Sequence, residues 1–238
     1  MKRSMKISII IPALNEASQL PALLASLRVL PGVGEVIVCD GGSEDATIKL
    51  ARAAGALVVS APPNRGAQLN AGARAAIGEV LWFLHADAQP HPASLDCIAR
   101  ACADPQISGG NFRLGFDSPT RSARVIETIA RVQRRCGIYY GDSGIFVRRE
   151  IFTQLGGYRA WPLFEDYDFA RRLERHARRR HGRTEYCRSP LLVSARRWQH
   201  HPWRTLALWL MLQILFSMGV SPQRLARFYQ RWGHAKSK

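Results

Sequence analysis

Two stretches decide the fold class: Ile7-Ser8-Ile9-Ile10-Ile11-Pro12-Ala13-Leu14-Asn15-Glu16 and Glu35-Val36-Ile37-Val38-Cys39-Asp40-Gly41-Gly42-Ser43. Each is a short run rich in β-branched residues that stops at polar or turn-forming residues, as a buried strand does. Pro12 cuts the first apolar run too short for the h-region of a secretion signal. Between the two runs, residues 17–30 carry a helical pattern. The rhythm continues outward. Ser43-Glu44-Asp45 places acidic residues where a helix starts. A third strand is expected at 56–60, a helix at 66–77, a fourth strand at 80–84 and a helix at 92–102. Strands alternating with helices predict an α/β domain with a Rossmann-like, mostly parallel sheet, helices on both faces and right-handed crossovers.

In open sheets of this kind ligands bind beyond the carboxyl ends of the strands. The residues just after each run are the ones such a site needs. The first run ends in Pro12-Ala13-Leu14-Asn15-Glu16 and the second in Asp40-Gly41-Gly42-Ser43; the third leads to Pro62-Pro63-Asn64-Arg65-Gly66 and the fourth ends in His85-Ala86-Asp87. Four strands delivering polar groups to one edge points to a binding or catalytic function rather than a structural one.

Beyond this the pattern loosens. A strand is expected at 109–114, an amphipathic helix at 122–135, a loop at Gly141-Asp142-Ser143-Gly144, a strand at 145–147, a helix from Phe164-Glu165-Asp166 to about residue 180, and a last short strand at 191–195. Residues 206–220 are almost wholly apolar, yet shorter than the ~20 residues a spanning helix needs. Ser221-Pro222 opens a second, amphipathic helix. With Trp203, Arg204, Arg224 and Arg227 flanking it, this tail reads as a surface-lying membrane anchor. A helix packed on the domain, or a dimer partner, is the competing reading. The division expected is 1–200 for the α/β domain and 201–238 for a C-terminal helical, membrane-associating segment.

The chain has 238 residues and a formal net charge of +16, which draws polyanions: nucleic acid, anionic lipid or phosphorylated small molecules. Its five cysteines are scattered and include no C-x-x-C pair. That argues against a disulfide framework or a zinc ribbon and leads to the expectation of structural thiols in a reducing compartment.

Each candidate residue has a plain structural alternative. Asp40 is a turn residue or a hydrogen-bonding partner of a nucleoside, with the following glycines allowing close approach. Asp87, at the mouth of an apolar strand, is a loop carboxylate or a ligand for a hard cation that also contacts phosphate. Glu165 and Asp166 are helix-dipole partners or a general base toward an acceptor hydroxyl. Arg196-Arg197-Trp198 is a solvated basic turn or a diphosphate grip. Gly141-Asp142-Ser143-Gly144 is a buried turn or an acceptor-side loop.

Taken in order, Ile9–Glu16, Val36–Ser43, Arg65-Gly66-Ala67-Gln68-Leu69-Asn70-Ala71-Gly72-Ala73, Leu84-His85-Ala86-Asp87 and Glu165-Asp166 resemble the blocks of family 2 glycosyltransferases of GT-A fold. The resemblance runs from about residue 6 to 198, and is nearest the small branch with Leu-His-Ala-Asp at the metal motif. It implies transfer of a sugar from a nucleotide-diphosphate sugar, UDP favoured, with inversion and with Mg²⁺ or Mn²⁺. By the same resemblance Pro12, Asn15 and Glu16 line the nucleotide pocket and Asp40 binds the base. Arg65 and Asn70 sit near the nucleotide and donor sugar, and Asp87 holds the metal. Asp166 is the base, supported by Glu165, and Arg197 and Trp198 close over diphosphate and acceptor. His85 stands where the family's Asp-x-Asp has its first aspartate, as a ligand or as an orienter of Asp87. Ser194-Ala195-Arg196-Arg197-Trp198 replaces the Gln-x-x-Arg-Trp of processive synthases, so one sugar per acceptor is expected. The basic surface and apolar tail further imply a lipid-linked acceptor and an anionic membrane partner, on the cytoplasmic face. The rivals are a nucleic-acid-binding protein, for which the arginine-dense stretch 171–183 comes with no recognised motif; a nucleotidyltransferase, whose Gly-rich, Lys-containing first loop is absent; and a non-catalytic nucleotide-binding module.

Overall fold

The computed structural model describes residues 5–196 and 201–234. Among the described residues eight strands form one sheet: β1 (Ile7–Ala13), β2 (Val33–Asp40), β3 (Leu57–Ser60), β4 (Val80–Phe83), β5 (Gln89–Pro90), β6 (Ile107–Phe116), β7 (Phe146–Arg148) and β8 (Arg183–Val193), in the order β3-β2-β1-β4-β7-β6-β8-β5. The first half is parallel throughout, β3 with β2, β2 with β1, and β1 with β4. The second half is mixed, within a sheet that is mostly parallel as expected: β7 runs antiparallel to both β4 and β6, and β5 antiparallel to β8, while β6 and β8 are parallel.

Alternation along β1 explains the two-sided core. Ile7, Ile9 and Ile11 point to one face, where they meet α1 (Leu20–Arg28) through Leu20, Leu23 and Leu27, and Trp82, Phe112 and Phe146 from the sheet. Ile10 points to the other face with Ile37, Leu81 and Phe83, beneath α3 (Arg65–Ala75) and the rings of Phe152, Tyr158 and Phe169. Ser8 is the polar exception in β1. Fully buried, its hydroxyl donates to Glu35 Oε1 and accepts from the Gly78 amide, so the buried hydroxyl is satisfied. Helix α3 packs so closely that a Cβ on Gly72 would lie 2.5 Å from Cys39 Sγ.

The remaining helices are α2 (Thr47–Ala53), α4 (Ser94–Ala103), α5 (Arg121–Arg135), α6 (Arg149–Gln154), α7 (Glu165–Arg179), α8 (Pro202–Ser217) and α9 (Pro222–His234). Caps follow the sequence: Asn64 Oδ1 accepts from the Ala67 amide to open α3, and Thr120 Oγ1 from the Ala123 amide to open α5. In α7 the first turn holds Glu165, Asp166 and Asp168 and the last holds His176, Arg178 and Arg179, matching the helix dipole.

Two expectations are corrected here. Cys97 of α4 and Cys187 of β8 form a disulfide across 90 residues of sequence, so the five cysteines are not all thiols. Cys39 and Cys102 are free and buried, and Cys136 is free and exposed. Second, the last strand is eleven residues long, not a short 191–195 segment. No helix among the described residues is long and apolar enough to cross a membrane. Helix α8 packs on the domain through Leu208 and Leu212, which join Phe164 and Leu225, while Trp203, Ile214 and Met218 stay exposed.

Candidate active site

A cavity of about 730 Å³ opens at the carboxyl edge of β1 and β4 and runs beneath α5 and α8. Its charged lining comes from separate elements: Glu16 after β1, Arg65 at the start of α3, His85 and Asp87 after β4, Asp142 on the 141–143 turn, and Glu165 and Asp166 on the first turn of α7.

Around Gly141 the groups crowd together. The Gly141 amide donates to Asp166 Oδ2 at 2.8 Å, and the Tyr167 amide to Asp166 Oδ1 at 2.7 Å, so both carboxylate oxygens are oriented by backbone. A Cβ on Gly141 would stand 3.1 Å from both Asp166 Oδ2 and His85 Nε2. Only a glycine leaves those two side chains this close to the turn. Arg65 Nη2 contacts His85 Nε2, and Arg65 Nε lies 3.6 Å from Glu165 Oε1. Phe164, just before α7, is held with φ +64, an uncommon left-handed conformation for a bulky residue that marks the entry to the acidic pair.

Electrostatics follow from this packing. Burial pushes the Glu165 carboxyl up to about 7, the adjacent Asp166 charge adds to the rise, and Arg65 opposes it. Burial pulls Arg65 down, but the Glu165 and Asp166 charges outweigh it and hold the guanidinium above its ordinary value. The Tyr140 hydroxyl is raised by burial and then by Asp166, and its ring stacks on Tyr167. At the other charged end Glu16 is raised by burial and then by the Asp87 carboxylate, with Arg196 opposing. Glu16 and Asp87 therefore repel each other across a half-buried gap.

The other residues singled out in the sequence lie elsewhere. Pro12, Asn15 and Asp40 sit on the same sheet edge but outside the cavity lining. Asp40 is buried and its carboxylate accepts from the Gly42 and Ser43 amides, the turn arrangement of its structural alternative. Asn15 joins two loops, its amide donating to Ser43 Oγ and its Oδ1 accepting from the Glu44 amide. Asn70 is also outside the lining: its side chain accepts from the Tyr158 amide and donates to the Tyr158 carbonyl, both at 2.8 Å. Arg197 and Trp198 lie outside the described residues. The 141–143 segment is a 3-10 turn whose Asp142 and Ser143 reach the cavity, so it is both a turn and part of the wall. The sequence reading did not pick out Asn111, Arg134, Tyr139, Tyr140 and Trp209. Tyr139-Tyr140, immediately before the glycine turn, was the available signal.

An acidic pair on a helix start and a carboxylate after β4 thus open onto one cavity at the edge of an α/β sheet. The sequence profile of Glycosyl transferase family 2 matches residues 8–160. The chain belongs to that family, and it is a glycosyltransferase of GT-A fold. Among its relatives is a PGL/p-HBAD biosynthesis glycosyltransferase of Mycobacterium bovis (strain BCG / Pasteur 1173P2), 31% identical over 186 residues, 68% of this chain and 67% of the relative. An undecaprenyl-phosphate 4-deoxy-4-formamido-L-arabinose transferase of Aeromonas hydrophila is 30% identical over 203 residues, 76% of this chain and 62% of the relative. Among solved structures, glucosyl-3-phosphoglycerate synthase from Mycobacterium tuberculosis, in complex with Mn²⁺, UDP and glucosyl-3-phosphoglycerate, superposes with a TM-score of 0.57 at 25% identity, covering 79% of this chain and 71% of that one. The mannosyltransferase PcManGT from Pyrobaculum calidifontis, bound to GDP-Man and Mn²⁺, superposes at 0.67 with 20% identity, covering 93% and 67%, a likeness of fold.

Proposed function

We propose that this glycosyltransferase moves one sugar from a nucleotide-diphosphate donor, UDP-linked by preference, to a hydroxyl on an acceptor of lipid character, inverting the anomeric centre. The observation that carries this reading is the opening of Asp87 and the Glu165-Asp166 pair onto one cavity from opposite elements. The acceptor oxygen forms a bond to the anomeric carbon as the bond from that carbon to the diphosphate oxygen breaks. The diphosphate leaves with the electron pair, and Asp166 Oδ2 takes the acceptor proton. Backbone amides hold Asp166 in place, and Glu165 fixes Arg65 beside the reacting centre.

A divalent cation fits the other end. Among the described residues no three His, Cys, Asp or Glu side chains gather to make a closed metal cage. A Mg²⁺- or Mn²⁺-type ion held by one or two carboxylates together with donor phosphates needs none. The mutual repulsion of Glu16 and Asp87 is what such an ion would relieve. Asp87 is the proposed ligand with Glu16 beside it; His85, whose Nε2 meets Arg65, positions that arginine. When bound, the ion would neutralise charge on the departing diphosphate.

The division into a catalytic unit to about residue 200 and a helical tail that touches an anionic membrane on its cytoplasmic face is part of the same proposal, supported by the exposed Trp203 and Ile214 on α8 and Met218 just after it. The decisive experiment is calorimetric titration of UDP, GDP, CMP and dTDP with and without Mn²⁺. Binding of one nucleotide that strengthens with Mn²⁺ and weakens in Asp87→Ala supports the reading. A folded protein that binds none of them sinks it.

A further inference from the structure

The charged residues account for only one part of the cavity. The rest is walled by two helices with the same spacing. On α5 the lining residues are Ile126, Ile129, Ala130 and Gln133; on α8 they are Leu206, Trp209, Leu210 and Gln213. Both sets follow i, i+3, i+4, i+7, the stripe by which a helix normally packs against a neighbour. Here the two stripes face a shared space and are bridged at one end, where Gln133 Nε2 donates to Gln213 Oε1 at 3.1 Å. Leu114 and Phe116 of β6 form the floor: each is under a tenth exposed and packs with Ile126, Ala130 and Leu206, and both also line the cavity.

Protein interiors close to near-crystalline density, and apolar space on this scale is normally occupied by a ligand. The chemistry of the walls says which kind. Among the described residues the arginines lining the cavity are Arg65, Arg134 and Arg196. Arg134 lies nearest the apolar stripes in sequence, and it is fully engaged: Nε donates to Asn111 Oδ1, Nη1 pairs with Glu174, and Nη2 donates to Thr184 Oγ1 and the Glu185 carbonyl. Arg65 faces Glu165 and His85. Arg196 acts on Glu16 at the other charged end, so among the described residues no cation stands between the two apolar stripes.

Resting on the transferase reading, we infer that the chamber between α5 and α8 is the acceptor subsite, and that it takes an uncharged apolar body bearing the hydroxyl that receives the sugar. The hydroxyl end reaches toward Asp166, and the apolar body lies between Ala130 and Leu210. A cavity of about 730 Å³ shared with a donor sugar accommodates a ring system or a short isoprenoid, not the full length of a long polyprenyl chain. A neutral hydroxyl acceptor also needs a base, and the oriented Asp166 carboxylate provides one.

The test uses farnesol, farnesyl phosphate and UDP with Mn²⁺ as probes of the full chain, read by tryptophan fluorescence because Trp209 lines the chamber. Ala130→Phe fills the apolar end, and Leu210→Asp puts a charge at an exposed position on its wall, where folding is not at stake. The expected result is saturable farnesol binding to the wild type, weakened at least about tenfold in either variant, with UDP binding unchanged. Farnesyl phosphate binding more tightly than farnesol overturns the inference in favour of an anionic acceptor. Farnesol binding equally to wild type and variants, or failing to bind where UDP still binds, overturns the subsite alone. Loss of UDP binding by the folded wild type removes the donor reading beneath it.

Discussion

Glu165 and Asp166 are adjacent carboxyl groups with different surroundings. Asp166 is half-buried and held by two amides; Glu165 is buried against Arg65 and raised to about 7. The different roles proposed for them give different mutant behaviour. Asp166→Asn is expected to lower turnover by about 10²–10⁴ while leaving Mn²⁺-dependent UDP binding within about twofold, measured by steady-state kinetics and calorimetry on the same preparation. Glu165 has a pH signature. Its folded value lies above the ordinary 4.5, so between pH 4.5 and about 7 the native state binds more protons than the unfolded chain. Stability therefore falls as pH rises through that window. In Glu165→Gln this slope should flatten, which urea unfolding at pH 5 and pH 8 would reveal; an unchanged slope would move the raised value to another group. The acidic pair was legible in the sequence because it opens a helix after a turn. That Asp40 would hold its own loop was one of its two readings, since its partners follow at turn spacing; that Asn70 would hold the Tyr158 backbone was not legible, because a partner so distant in sequence leaves no local pattern.

At the scale of elements the first four strands and their helices were legible, since each couples a short, nearly continuous apolar run to a following helical pattern. The second half was less so. Strand β8 begins Arg183-Thr184-Glu185-Tyr186, polar enough to read as loop, and becomes a strand because β6 pairs with it and Arg134 anchors Thr184 and Glu185. Helix α6, with six residues, is too short to show a period. Arg134 is thus the tie between α5, β6, β8 and α7. Arg134→Met should destabilise the fold by about 3–5 kcal/mol, because buried Glu174 is left without its partner. The midpoint of chemical denaturation would record it, and a loss under about 1 kcal/mol would mean that Thr184 alone satisfies Glu174.

For the molecule as a whole, the +16 charge was legible as attraction to anions but not as a location. The disulfide was not legible at all, because a pair 90 residues apart leaves no local pattern. It ties α4 to the far end of the sheet, and a covalent link closing so long a loop contributes about 2–4 kcal/mol. Cys97→Ser should lower the melting temperature by several degrees, and a reductant should reproduce the shift in the wild type only; identical melting curves for both proteins would mean that the bond does not form in solution. Exposed Trp203, Ile214 and Met218, on a chain this basic, lead to the expectation of flotation with anionic vesicles at low salt and release at high salt. Recovery of all the protein in the vesicle-free fraction at low salt would remove the membrane from the proposal.

The bridge between Gln133 and Gln213 closes a chamber whose far wall comes from the last forty or so residues of the sequence. A sugar activated by a nucleotide is vulnerable to water, which is abundant, small and chemically similar to an alcohol. Apolar walls on α5 and α8 make the chamber inhospitable to water that finds no partners there. On this view the terminal helices act as a dry cover as much as an anchor. Opening that cover would divert activated sugar to solvent, so that the enzyme consumed donor without glycosylating anything.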